Sequence, residues 1–245
     1  MNRVASAESR ASIAQRVDAL DWSALSAELD ANGCAVAPFL LTPRECAELV
    51  ELYRSEALFR SRVVMARHGF GSGEYKYFSY PLPEPIAQLR GAFYRQLAPV
   101  ANRWSASLRS DVRYPDDHER FLSRCHQAGQ CRPTPLLLSY GPGDYNCLHQ
   151  DLYGEHVFPL QVALLLSAPC QDFTGGEFVL TEQRPRAQSR PIVLSLRQGD
   201  AALFAVNQRP VVGTRGAYRV ALRHGVSKLH SGTRQTLGII FHDAM

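Results

Sequence analysis

The apolar pattern of the chain changes character near its middle. In the first half apolar residues recur at helical spacing. In "DWSALSAELDANG", Trp22, Leu25 and Leu29 fall close to one helix face and Gly33 supplies the stop. "CAVAPFLL" reads as a short strand. "TPRECAELVELYRSEAL" predicts a helix with a marked start, Thr42 as N-cap, Pro43 in the first turn and Glu45 closing a capping box. Leu49, Leu52 and Tyr53 follow on one face. "MARHGFGSGEYKYFSYPLPEP" (65–85) breaks the period. Its glycines, alternating aromatics (Tyr75, Tyr77, Phe78) and prolines predict an extended strand entering a loop. Residues 86–108 return to helical spacing, and 109–132 are charged and read as loop with some helix.

From Thr134 onward the pattern is one of short strands. "LLLSY", "FPLQVALLLS", "GEFVLTE", "PIVLSL", "AALFAV", "YRVALRHGV" and "RQTLGIIFHD" are mostly separated by Gly-rich or polar turns. Seven such segments within about 110 residues predict a closed sandwich or jelly roll. The expected architecture is mainly β with flanking helices, in the α+β class. A jelly-roll core over 133–245 follows an N-terminal helical and substrate-side region over 1–132. No internal repeat or low-complexity segment is evident.

Composition narrows the class. The chain has 245 residues, 45% hydrophobic and 20% charged, as ordinary globular proteins do. No apolar run reaches the roughly 18 residues of a membrane span. The N-terminus lacks the apolar segment of a secretory signal. It is rich in Arg, Ala and Ser, as transit peptides are, but Glu8, Asp18 and Asp21 count against that, and a cytoplasmic protein is the simplest reading. Six cysteines in a chain of this length read as reduced thiols. "CHQAGQC" (125–131) has half the donors of a zinc site and no second pair at matching spacing. Nearly all basic residues are arginine, concentrated at Arg103–Arg132 and Arg184–Arg197. A solvated face is the more economical account of both clusters; a nucleic-acid footprint is the functional one.

The candidate chemistry lies in "LSYGPGDYNCLHQDLYGEHVFPLQVALLLS" (138–167). In an extended segment, residues two apart share a face, so His149 and Asp151 project side by side. An imidazole and a carboxylate suit a divalent first-row metal, and one more imidazole from an adjacent strand completes a facial triad with positions left for a cosubstrate and oxygen. His156, His224, His230 and His242 are the later candidates. His156 is too near His149 to come from another strand, His242 ends an apolar strand, and His230 sits in a polar turn. His224 closes one strand, and Arg234 opens the next ten residues later. A dicarboxylate bound to the metal at one end needs a cation at the other, which a guanidinium supplies in bidentate fashion. Thr236 points the same way as Arg234 and adds a hydroxyl.

His149-x-Asp151, His224 and Arg234 with Thr236 resemble the motif of Fe(II)/2-oxoglutarate-dependent oxygenases. The ten-residue step from His224 to Arg234, "GGEF" (175–178) and "QGDAALF" (198–204) resemble the prolyl-hydroxylase-like branch. "YGPGDYNCLHQD" (140–151) is similar to the stretch that leads into the iron site of AlkB-type nucleic-acid demethylases, where a Tyr at the place of Tyr140 helps bind the cosubstrate. Two departures separate the chain from AlkB: Leu138 replaces an Asn, and Arg234 follows its His more closely. Residues 65–245 as a whole resemble a bacterial family predicted to oxidise damaged nucleic acid.

The resemblance implies Fe(II) held by His149, Asp151 and His224, with no catalytic residue beyond these ligands. It implies 2-oxoglutarate gripped at its far carboxylate by Arg234, Tyr140 and Thr236, with oxygen as the other partner. The leading expectation is oxidative demethylation of alkylated DNA or RNA, presented as a single strand or a flipped base. Residues 65–85 would then form a lid whose aromatics stack on the base, with Lys76 and the arginines on phosphates; an edge strand whose aromatics pack on the helices is the plainer account. Two rivals remain: hydroxylation of a protein side chain or small metabolite, and a non-catalytic jelly-roll binding module. A zinc hydrolase would leave Arg234 without a purpose.

Overall fold

The computed structural model describes residues 11–245 apart from 215. Helices α1 (Ile13–Asp18) and α2 (Trp22–Asn32) come first, then strand β1 (Cys34–Ala37) and α3 (Pro43–Glu51). Strands β2 (Phe59–Val64), β3 (Gly71–Ser72) and β4 (Glu74–Phe78) precede the long α4 (Glu84–Ser107) and α5 (His118–Gln127). The strand-rich half holds β5 (Leu136–Tyr140), β6 (Tyr145–His149), β7 (Leu160–Leu165), β8 (Phe173–Gly175), β9 (Phe178–Gln183) and β10 (Arg190–Leu194). It closes with β11 (Ala201–Ala205), β12 (Gln208–Gly213), β13 (Gly216–Val226), β14 (Leu229–Gly232) and β15 (Arg234–Ile239).

Two antiparallel sheets face each other. The larger runs β1-β11-β7-β15-β5-β4-β2 and the smaller β10-β9-β13-β6-β3, with β12 also on β13. This is the jelly-roll core that the strand spacing predicts. Strand β7 is buried at every position. Helices therefore cover one of its faces while the other looks into the space between the sheets, and such a doubly buried strand reads as the unbroken apolar run of "LQVALL".

Local signals account for the helices. Thr42 and Glu45 form the expected reciprocal capping box, and Pro43 sits in the first turn of α3. The helix stops at Glu51, earlier than its apolar spacing predicts, and the chain continues as two single turns, Leu52–Arg54 and Glu56–Leu58. Gly33 ends α2 in the left-handed conformation, and a Cβ there would meet the Arg209 side chain at 2.6 Å. Among the described residues no helix is long and apolar enough to cross a membrane.

The segment 65–85 is built into both sheets, β3 into the smaller and β4 into the larger. Strand β4 lies between β5 and β2, with Tyr75 opposite Leu138 and Tyr77 opposite Leu136. The side chain of Lys76 turns the other way. It is 4% exposed, pairs with Glu56 at 2.5 Å and donates to the Tyr53 carbonyl, so it does not reach a ligand between the sheets.

Candidate active site

A cavity of about 360 Å³ opens between the sheets, and His149, Asp151, His224, Arg234, Thr236 and Tyr140 all line it. Strand pairing brings them there. His149 ends β6 directly opposite His224 of β13, and the two rings are 4.2 Å apart between centroids. Asp151 lies just past the end of β6, on the same face as His149 as the two-residue period requires. One donor atom from each of the three lies within 4.8 Å of the others. His149 Nε2 is 3.6 Å from Asp151 Oδ1, and His224 Nε2 is 3.4 Å from Asp151 Oδ2.

Protonation suits these groups to hold a cation. His149 Nδ1 is 2.8 Å from the Cys147 carbonyl, so that nitrogen carries the hydrogen and Nε2 presents its lone pair. Burial pushes His224 towards the neutral imidazole, against the pull of Asp151. Burial works to raise the Asp151 carboxyl as well. The hydrogen bond and charge of His224, the neighbouring His149 and the Tyr153 hydroxyl outweigh it and hold the carboxyl below the usual range. Two imidazoles and one carboxylate are the donor set that divalent iron takes in an open facial site.

At the other end of the cavity Arg234 is 1% exposed. Its Nη1 donates to Thr236 Oγ1 at 2.6 Å, and its Nε has no protein partner. No carboxylate among the described residues pairs with it; Glu177, the acid that influences it, is bonded to Ser227. Arg234 faces Tyr140 across the β15–β5 register. Burial raises the Tyr140 phenol to about 12, so it stays protonated. Tyr140 Oη accepts from Asn146 Nδ2 at 3.3 Å, which leaves its own O–H free to donate. Guanidinium, phenol and hydroxyl converge as an anion-binding cluster without an anion of the protein's own. Gly176 makes room for it: its φ is +65°, and a Cβ would come within 3.0 Å of Arg234 Cδ.

Other candidates lie elsewhere. His230 is exposed in the short strand β14, and His242 is fully buried, with Nδ1 accepting from the Phe158 amide. His126 is bonded to Asp243, and Cys131 approaches the His126 carbonyl. In the first arginine cluster Arg103 pairs with Asp30, while Arg113 and Arg124 donate to backbone carbonyls.

Sequence reasoning passed over two residues of the cavity. Tyr153 donates to Asp151 Oδ1 at 2.6 Å and is bonded to Tyr77, so it fixes the carboxylate. It stands two residues beyond Asp151, where the same period points to it. Gln161 is 4% exposed, lines the cavity and leaves Oε1 without a partner. Its signal is a polar residue inside an otherwise apolar strand.

A family model for oxygenases, described as catalysing oxidative methylation of damaged DNA, matches residues 73–244. Uncharacterized proteins from two strains of Mycobacterium tuberculosis are each 50% identical over 167 residues, covering 68% of this chain and 72% of theirs. Among solved structures, a prolyl hydroxylase from Trichoplax adhaerens, in complex with a hypoxia inducible factor peptide fragment, aligns with a TM-score of 0.59. It is 14% identical, over 99% of this chain and 94% of that one. A Pseudomonas putida prolyl-4-hydroxylase gives 0.55 at 14% identity, over 91% and 99%. An oxidoreductase of the 2OG-Fe(II) oxygenase family from Burkholderia pseudomallei gives 0.54 at 14%, over 91% and 92%. At such identities the structural likeness is one of fold. The family match spans every residue of the cavity's two charged ends, and the chain belongs to this oxygenase family.

Proposed function

We propose that the enzyme oxidatively demethylates alkylated bases of DNA or RNA. His149, Asp151 and His224 hold Fe(II), and Arg234, Thr236 and Tyr140 anchor the far carboxylate of 2-oxoglutarate. The observation that carries the site is a buried, acid-free arginine in the same cavity as two imidazoles and a carboxylate within 4.8 Å of one another. Bound iron and 2-oxoglutarate together supply the oxidising power that inserts oxygen into a substrate C–H bond.

The chain's own residues supply position and exclusion. Arg234 and Thr236 orient the cosubstrate from one end. Tyr153 fixes Asp151, and the Cys147 carbonyl fixes the His149 ring. Phe178 and Phe204, both lining the cavity beside His224, keep that face dry. Support for a nucleic-acid substrate comes from the family description. An oxygenase carries no methyl donor. Its natural act on an N-methyl group is oxidation, after which the hydroxymethyl group leaves as formaldehyde and the base is restored. The ten-residue step from His224 to Arg234 favours a second reading, hydroxylation of a protein side chain or metabolite.

Succinate and formaldehyde release over methylated single-stranded oligonucleotides, peptides and no added substrate separates the two. The proposal expects both products to rise together on a methylated oligonucleotide. Stimulation by peptide alone would refute it.

A further inference from the structure

The outer face of the smaller sheet carries a charge pattern that the iron site does not use. Residues 178–226 contain eight arginines and two carboxylates, Glu182 and Asp200. Both carboxylates are buried, at 1% and 3% exposure. Along β13, Val220, Leu222 and His224 point inward, so Arg219 and Arg223 point out, and both are exposed. Arg223 is paired across the ladder with Thr181 on one side, and its neighbour His224 is paired with His149 on the other. The Cα of Arg223 therefore lies about one strand spacing, roughly 5 Å, from β6. Arg219 lies four residues back, roughly 13 Å along the same strand.

Arginine ion pairs within this sheet converge on Glu182. That carboxylate takes Arg184 at 2.9 Å, Arg190 at 3.5 Å and the buried Arg209 at 2.5 Å. One negative charge fixes Arg209; the other two guanidiniums, with side chains 47% and 56% exposed, are surplus positive charge on the face of Glu182 and Leu222, opposite to Arg219 and Arg223. On the β6 side of β13 the cavity mouth has an apolar rim. Phe70 is 48% exposed and Leu148 is 43% exposed, and both line the cavity.

We propose that this outer face is a track for single-stranded nucleic acid. Arg219 and Arg223, roughly 13 Å apart along β13, each hold a phosphate of the strand as a bidentate fork. Phe70 and Leu148 receive the base that turns into the cavity. A base must leave its stack to reach the iron ligands, so an unpaired strand is the form that fits. The inference rests on the nucleic-acid reading above and adds the surface that would grip the strand.

The test is fluorescence anisotropy of labelled single-stranded DNA and RNA on the full chain. It compares the parent with R219E/R223E, the milder R219A/R223A, and the control R44E/R54E on helix α3 and the turn that follows it. The track predicts at least about tenfold weaker binding for the reversal at low salt. For the alanine pair it predicts a log–log salt slope shallower by about 1.4, two single-strand phosphate contacts. The control should match the parent, and cosubstrate turnover without substrate should be unchanged in all. Binding by the parent that the β13 variants leave intact overturns the track and spares the nucleic-acid reading. A parent that binds neither DNA nor RNA overturns both. Binding of a poly-glutamate peptide as tight as that of the oligonucleotide assigns the face to an acidic protein and overturns the track.

Discussion

Buried arginines appear in two kinds of surroundings in this protein. Arg90 is tied to Asp243 at 2.7 Å, to the Ile240 carbonyl at 2.9 Å and to the Tyr80 hydroxyl at 2.9 Å. Arg209 has Glu182 and the Asp30 carbonyl. Arg234, as deeply buried as either, has one hydroxyl and no acid. A buried charge without a counter-charge is destabilising, and folds that gain nothing from one do not keep it. The first two arginines cross-link the fold. The third is left for an anion from outside, and a locally broken rule of this kind marks a functional site.

Six substitutions bear on that contrast and on the site around it, the largest effect first. His224→Ala or Asp151→Ala should abolish succinate formation and strip the protein of iron, read by metal analysis. Arg90→Met should lower unfolding stability by about 3–5 kcal/mol, because the buried Asp243 loses its guanidinium and keeps only the Tyr80 hydroxyl and His126. Arg234→Met should cost nothing or stabilise the apoprotein; equal losses in the two denaturant curves would erase the distinction between them. Tyr153→Phe frees one oxygen of Asp151 and should weaken metal affinity about 10–100-fold with the fold intact. Gln161→Leu removes an orphaned acceptor. It should raise Tm by about 2–4 °C for each kcal/mol regained while lowering substrate-coupled turnover. A fall in Tm would mean that Gln161 serves the fold.

Much of this was legible in the sequence, for reasons visible at particular residues. Strand β5 coincides with "LLLSY" because a doubly bounded apolar run has one extended reading. His149 and Asp151 were legible as a two-residue period and His224 from its ten-residue step to Arg234; the pairing of β13 with β6 that sets His224 opposite His149 belongs to the fold. Helix α5 was masked: its buried residues His118, Phe121 and Cys125 keep helical spacing, but charged neighbours fill the rest of the turn. Strand β12 was missed because Pro210 argues against a strand, and it is tolerated in a strand that pairs only with β13. Asn146 against Tyr140 and Tyr153 against Tyr77 depend on long-range register, which no local pattern encodes.

The central claim is that Arg234 waits for the far carboxylate of a keto diacid held beside the three ligands. Calorimetric titration of 2-oxoglutarate into the anaerobic, Fe(II)-loaded parent and Arg234→Ala proteins tests it most directly. The account predicts a loss of about 2–5 kcal/mol in binding for the variant, with iron content unchanged. Affinity equal to the parent's would contradict it.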